Sequence, residues 1–290
     1  MRIAQDRLGD VFLIDIAKDL AQGKSFDLED AQAILKYDYS VHGSQDFTAI
    51  KGSDIIVLTA GLARQPGMTR EDLLRKNAQI LKDICLNIKK LAGGSIVIAV
   101  TNPLDLMTLF TLKTTGFPHR QVLGMGITLD AARFANLISK ELKIAVNDIS
   151  ACVIGSHGEG MLPLPRFTTI KGVPLDEVMD DLKISQLLQQ TIERGKDIVS
   201  LLGSGSAYFA PSAAITEIVR AIARDEKRIL GVSAYLNGEY GIKDICIGVP
   251  CLLGKRGIEK IIELDLNPQE KEVFLQAAAK LKEQYQGITI

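Results

Sequence analysis

Four stretches of the chain share one design: VFLID (11–15), DIIVLTAG (54–61), SIVIAVTN (95–102) and QVLGMG (121–126) are apolar runs closed by turn residues. Each leads to a segment with helical spacing, around Leu20 to Leu35, Thr69 to Leu91, Leu104 to Thr114 and Leu129 to Leu142. A strand that is apolar throughout must be covered on both faces, and a helix between consecutive strands is the connection that parallel pairing requires. Residues 1–126 are therefore predicted to form a doubly wound α/β domain around a parallel sheet. Met1 to Leu8 reads as most of a helix, with Gly9 as its stop.

The rhythm changes from about Ile149. SACVIGS, RFTTIKG, ILGVSAYLNGEYGI and ICIGVPCLL read as hairpin or meander strands, with long helices near Ile184 to Leu202, Ser212 to Arg224 and Pro268 to Tyr285. This is an α+β pattern, and it predicts a second domain over residues 127–290. A chain of 290 residues has enough apolar surface for two medium cores, and without repeats, low-complexity segments or a long linker its two lobes should pack closely.

A net charge of -1 offers neither a nucleic-acid surface nor an attraction to anionic membranes, so any anion must be caught locally. The four cysteines, Cys85, Cys152, Cys246 and Cys251, lack CxxC spacing and sit in apolar runs, which predicts buried free thiols and a reducing compartment. No basic start precedes an apolar stretch and no run approaches a bilayer's span, so a soluble cytoplasmic protein is expected.

Candidate chemistry collects just after the predicted strands. Asp15 closes the first, where a carboxylate accepts hydrogen bonds from both hydroxyls of a ribose; the same position suits a turn former or helix cap. The segment AGLARQPGMTREDLLRKN (60–77) crosses a Gly/Pro-containing loop that carries Arg64 and Arg70 and enters a helix with Thr69 as its cap. Such a loop could close over a ligand and bring two guanidiniums inward, or remain a solvated charged loop. In TNPLD (101–105), Asn102 offers an amide at the carboxyl end of the sheet, or forms a turn ahead of Pro103.

LDAAR (129–133) puts Asp130 and Arg133 on one helix face, where an ion pair is the ordinary outcome. GSHGEGMLPLP (155–165) places His157 between a buried strand and a glycine-rich turn that lets a ligand approach its ring closely. His42 and His119 lie in polar or turn surroundings and read as surface residues. No two histidines fall at metal-ligand spacing, so no metal is expected.

Taken in order, Asp15, Arg64, Arg70, Asn102, Asp130, Arg133 and His157, carried by AGLARQPGMTREDLL, VTNPLD, LDAARF and GSHGEGMLPL, resemble the lactate and malate dehydrogenase family. The similarity is greatest to its lactate-dehydrogenase-like bacterial malate dehydrogenases, and it runs from Met1 almost to the C-terminus. The resemblance implies a Rossmann-type domain followed by a catalytic domain, NAD as cofactor and a homo-dimer or homo-tetramer. It also implies oxidation of L-malate to oxaloacetate, with His157 taking the alcohol proton, Asp130 on the other ring nitrogen and Arg133 gripping the C1 carboxylate. Arg70 would polarise the carbonyl when the loop closes, Asn102 would bond substrate and cofactor, and Asn77 would belong to the cofactor or loop environment.

Position 64 selects the substrate on this reading. The family's lactate enzymes have a neutral glutamine there, whereas Arg64, buried by loop closure, needs the second carboxylate of a dicarboxylate as counterion. Gly205, beside Ser206, would leave room for the longer substrate, and Gln65 stands where lysine is common in related loops.

One part of the family pattern is missing. A strand and a GxGxxG turn belong just ahead of the position of Met1, and no other glycine cluster replaces them. The sequence therefore carries an expectation of an N-terminally shortened chain that binds NAD weakly or not at all. Three readings stay open: a malate dehydrogenase, a dehydrogenase for another 2-hydroxy acid such as L-lactate, and a non-catalytic chain that persists as a subunit or binding module.

Overall fold

A computed structural model describes residues 1–17, 19–62, 68–203 and 205–286, apart from the side chain of Arg70. The first half runs α1 (Arg2–Gln5), β1 (Val11–Ile14), α2 (Leu20–Leu35), β2 (Val41–Ser44), β3 (Ile55–Leu58), α3 (Arg70–Leu91), β4 (Ile96–Ala99), α4 (Leu104–Thr115), β5 (Val122–Gly124) and α5 (Ile127–Leu142). The second half has the short strands β6 (Ile149–Ser150), β7 (Val153–Gly155), β8 (Met161–Pro163), β9 (Thr169–Ile170) and β10 (Val173–Pro174). They are followed by α6 (Leu175–Val178), α7 (Asp181–Leu202), α8 (Phe209–Ala223), β11 (Arg228–Asn237), β12 (Lys243–Gly254), β13 (Gly257–Ile261) and α9 (Pro268–Gln286).

The parallel strands follow the apolar runs. β3, β4 and β5 pair in parallel, so their carboxyl ends lie along one edge of the sheet. Every residue of β4 and β5 is buried, as expected for strands covered on both faces. The start of α3 is fixed locally: the Thr69 side chain accepts from the Asp72 N–H, and the Asp72 carboxylate accepts from the Thr69 N–H, a reciprocal cap at the predicted position.

The sheet differs from the expectation in three ways. β1 and β2 pair in parallel as a two-stranded sheet of their own, and β2, over VHGS, was not expected as a strand. Of the second-half strands, only β6, β9 and β10 form a sheet of their own, whereas β11, β12, β7 and β8 extend the first half's sheet, because β5 pairs antiparallel with β11 and the order runs β3-β4-β5-β11-β12-β7-β8. One ladder therefore crosses residue 126, with Ser233 of β11 opposite Gly124 of β5. The opening helix is also shorter than Met1 to Leu8, because Arg7 and Gly9 adopt positive φ.

The main core lines this long sheet, from Val97, Ile98 and Leu123 to Val232, Ile247 and Val249. A second core forms where Phe134, Leu137 and Ile138 of α5 meet Ile184 and Leu187 of α7. α4 is buried over most of its surface, and three of its four threonines are satisfied within the helix: Thr108 donates to the Leu104 carbonyl and Thr111 to the Met107 carbonyl, each at 2.8 Å, and Thr115 to the Thr111 carbonyl at 2.7 Å, while the Thr114 hydroxyl is buried without a partner among the described residues. One charged residue, Asp105, lies in the first turn of this buried helix.

Candidate active site

The loops at the carboxyl ends of β3, β4, β5 and β7 are joined by consecutive hydrogen bonds. The first joint is Asn77, on α3, which is fully buried. Its Oδ1 accepts from the Leu62 N–H (2.8 Å), and its Nδ2 donates to the carbonyls of Leu62 (3.3 Å) and Asn102 (2.6 Å). Both amide donors are thus engaged with the backbone. The residue thereby staples the loop after β3 to the loop after β4, which places it in the loop environment that was one of the two roles expected for it. The Asn102 side chain, in contrast, is exposed.

The second joint lies at the N-terminus of α4, three residues beyond Asn102. Oδ2 of Asp105 accepts from the backbone N–H of His157 at 2.8 Å, and Oδ1 accepts from the Ser233 hydroxyl at 2.6 Å. The loop that carries His157 is thereby fastened to α4 and to β11.

The third joint is the His157 ring, whose Nδ1 lies 2.7 Å from Oδ2 of Asp130. The other Asp130 oxygen, Oδ1, accepts from Arg133 Nη1 at 3.0 Å. Asp130 is fully buried, while the side chains of His157 and Arg133 keep 16% and 12% of their surface exposed, so both reach solvent at one side only. With Nδ1 held by Asp130, Nε2 is the ring nitrogen left to meet a ligand. Close packing sets the ring's place, since a Cβ on Gly126 would sit 3.0 Å from the His157 Cβ.

The electrostatics favour a proton on His157. Burial pulls its pKa down, but Asp130, by charge and by hydrogen bond, and Asp105, by charge, outweigh that effect and the repulsion from Arg133, so the pKa is raised above its ordinary value.

Arg133 combines the two roles weighed from sequence. Nη1 makes the helical ion pair, yet Nε is buried with no partner, and Nη2 has no hydrogen bond within the described residues. An orphaned buried guanidinium donor calls for an acceptor, and a carboxylate supplies two oxygens at the spacing of the fork. Room for the guanidinium comes from Gly195 on α7, where a Cβ would lie 3.2 Å from Nη1 and 3.4 Å from Nη2.

Asp130, Arg133 and His157 are thus brought together, and Asn102 is tied to them through the start of α4. Asp15 stands on the separate β1–β2 sheet, and its Oδ1 accepts from the Ala17 N–H at 2.9 Å, closing a turn. Arg64, Gln65 and the side chain of Arg70 lie outside the described residues. His42 and His119 are exposed, His119 against the Tyr235 ring at 4.1 Å. Gly205 and Ser206 are exposed. No group of three metal-ligating side chains occurs among the described residues.

Sequence reasoning missed Asp105, Ser233 and Gly195. A glycine inside a helix was a readable signal, because it needs a packing reason to offset its loss of about 1 kcal/mol against alanine. Nothing local marked Asp105, whose partner Ser233 is 128 residues away.

Comparisons with known proteins agree with this geometry. Residues 1–124 match the lactate/malate dehydrogenase NAD binding domain, and residues 127–289 match the family's alpha/beta C-terminal domain. A malate dehydrogenase of Methanosarcina barkeri is 46% identical over 281 residues, covering 97% of this chain and 92% of the relative. Among solved structures, the malate dehydrogenase of Aeropyrum pernix superposes with a TM-score of 0.95 at 40% identity, over 99% of this chain and 93% of that one. The lactate dehydrogenase of Cryptosporidium parvum, complexed with lactic acid and nicotinamide adenine dinucleotide, gives 0.94 at 35% identity, over 98% and 91%. These matches do not bear out the expected shortening ahead of Met1. With both halves matched in order and the histidine–aspartate–arginine cluster formed, the chain belongs to the lactate/malate dehydrogenase family.

Proposed function

We infer that the protein is an NAD-dependent malate dehydrogenase. The observation that carries this reading is the cluster in which one buried carboxylate, Asp130, holds His157 Nδ1 at 2.7 Å and Arg133 Nη1 at 3.0 Å. Nε2 of His157 takes the proton of the substrate hydroxyl in oxidation and returns it in reduction, while Asp130 keeps the ring oriented and balances the charge it gains. Arg133 receives the substrate's C1 carboxylate on its Nε/Nη2 edge, which sets the reacting carbon beside His157.

NAD, when bound, accepts the hydride that leaves that carbon. The residues at the strand ends suit it. Asp15 has an oxygen beyond the one bonded to Ala17 with which to accept from the adenosine ribose, and the exposed Asn102 side chain lies at the end of β4 near the site. Asn77 serves the cleft through the loops it staples. Arg64 and Arg70 are assigned to the second carboxylate and to the carbonyl, Gly205 to the space for the longer acid, and residues 1–126 and 127–290 to the two domains.

The surroundings form part of the proposal. No helix among the described residues is long and apolar enough to cross a membrane, and the four cysteines are unpaired, which suits a cytoplasmic, reducing compartment. A homo-dimer or homo-tetramer would cover exposed apolar side chains such as Ile34, Leu201 and Phe209, and light scattering after size exclusion measures its mass.

Lactate dehydrogenases superpose nearly as well as malate dehydrogenases, so the deciding assay compares oxaloacetate with pyruvate under NADH. Oxaloacetate should be reduced at least ~100-fold more efficiently, and R64Q should narrow the ratio, since it removes a charge that only the dicarboxylate pairs. Pyruvate preference would overturn the substrate, and failure of NADH to bind saturably would remove the cofactor from the reading.

A further inference from the structure

The charge on His157 has a second buried neighbour whose role the reaction as described leaves open. Asp105 is 3% exposed, and it is the one buried charged residue of a helix whose other buried residues are apolar side chains and threonines. A structural cap would not need a charge at this depth. Its two oxygens accept the His157 backbone N–H at 2.8 Å and the Ser233 hydroxyl at 2.6 Å. Donors from two segments far apart in sequence therefore converge on one carboxyl group, the arrangement that an anion requires and that a neutral acid, with a proton of its own to place, would frustrate. Its place in the first turn of α4 adds the favourable end of the helix dipole.

We propose that Asp105 is a positioning residue for the reaction: a buried anion that clamps the backbone of His157 to α4 and β11 and shares with Asp130 the stabilisation of the imidazolium.

This rests on reading His157 as the proton-handling group, and it separates two tasks. Asp130 orients the ring by its side chain, whereas Asp105 holds the main chain from which the ring projects. The charged groups acting on the ring are Asp130 and Arg133 from α5 and Asp105 from α4. Around Asp105 itself stand Ser233 of β11, Ser156 and His157 of the loop and the Cys246 thiol of β12. Burial pushes the Asp105 carboxyl up, and the hydrogen bonds from Ser233 and the His157 N–H act against that push, so its charge state is the point to measure.

The test is an NMR titration of the full chain without cofactor or substrate. The protein has three histidines, so His42 and His119 serve as internal references for the His157 ring. D105N should move the His157 midpoint downward while leaving the other two unchanged, and should lower kcat for oxaloacetate reduction by about 10-fold or more with KM little altered, as a displaced acid/base group does. An unchanged His157 midpoint in D105N overturns the proposal, whatever happens to thermal stability. Should D105N fail to fold, the wild-type protein still decides: the 13C shift of the Asp105 carboxyl, assigned by its response to S233A, should report an ionised group at neutral pH, and a protonated one would overturn the proposal. Neither measurement needs turnover, so failure here is distinct from failure of the malate dehydrogenase reading, which H157Q tests by activity.

Discussion

Replacing Asp130 by asparagine bears directly on the central cluster. The carboxylate is fully buried and serves two cations at once, His157 Nδ1 at 2.7 Å and Arg133 Nη1 at 3.0 Å. An amide has one accepting atom where the carboxylate has two. If the Asn oxygen faces Arg133, its NH2 group faces Nδ1 and forces the ring proton onto Nε2, the nitrogen that must accept the substrate proton. If the amide is reversed, its NH2 meets the guanidinium and leaves buried donors opposed. The corresponding change in the histidine–aspartate couple of a serine protease lowers kcat by about 10⁴ through the same tautomer fault. A loss of ~10³ to 10⁴ is expected here, about 4 to 5 kcal/mol on the barrier.

The pH dependence gives the same variant a sign. His157 carries a raised pKa, with burial pulling it down and Asp130 and Asp105 pulling it up more strongly. Reduction of the keto acid needs the imidazolium, so its rate falls as pH rises through that value; in D130N the fall should come at lower pH. Oxidation of the hydroxy acid needs the neutral ring, and its loss of rate toward acid should also move to lower pH. A raised folded-state pKa also means that His157 contributes stability fully below its unfolded value of about 6.5 and loses it as pH rises through the folded value. Thermal unfolding of wild type followed upward from that point should show the decline, and D130N should flatten it. Initial rates in both directions, with melting curves in the same buffers, supply the data. A kcat in D130N within about tenfold of wild type, with unmoved midpoints, would refute the proton-handling role of the pair.

Three further outcomes follow from the same geometry. R133K should raise KM for oxaloacetate by ~10- to 100-fold with a smaller change in kcat, because an ammonium cannot engage both carboxylate oxygens through a planar fork; steady-state kinetics check it. G195A should weaken substrate affinity by crowding Arg133 at 3.2 Å, while Tm changes little because alanine's helix preference of up to about 1 kcal/mol opposes that crowding, and a raised KM with a nearly unchanged melting curve distinguishes this from general damage. N77A removes three buried hydrogen bonds to the loops after β3 and β4 and should lower stability by at least ~2 kcal/mol in urea denaturation.

How much of this was legible from sequence depended on whether the cause was local. Parallel strands announce themselves because every residue must be apolar, so β3, β4 and β5 could be read from IIVL, IVIA and VLG. β2 could not: VHGS has one buried residue, Val41, and becomes a strand only because β1 lies alongside to complete its ladder. The start of α3 was legible because Thr69 and Asp72 are three apart, and the pairing of Asp130 with Arg133 because they share a helix face.

The continuous sheet was invisible for a different reason. Its joint pairs Gly124 with Ser233, and no periodicity in either strand encodes a partner more than a hundred residues away. The consequence reaches the site. Ser233 stands at that joint with its hydroxyl on Asp105, and Asp105 holds the backbone of His157, so the ladder that unites the two halves of the chain also fixes the histidine facing the substrate. A break at the β5–β11 joint should therefore appear first as a misplaced His157, because the path from Ser233 through Asp105 to the His157 N–H carries the displacement, while the main core, which spans both halves, still holds the sheet together.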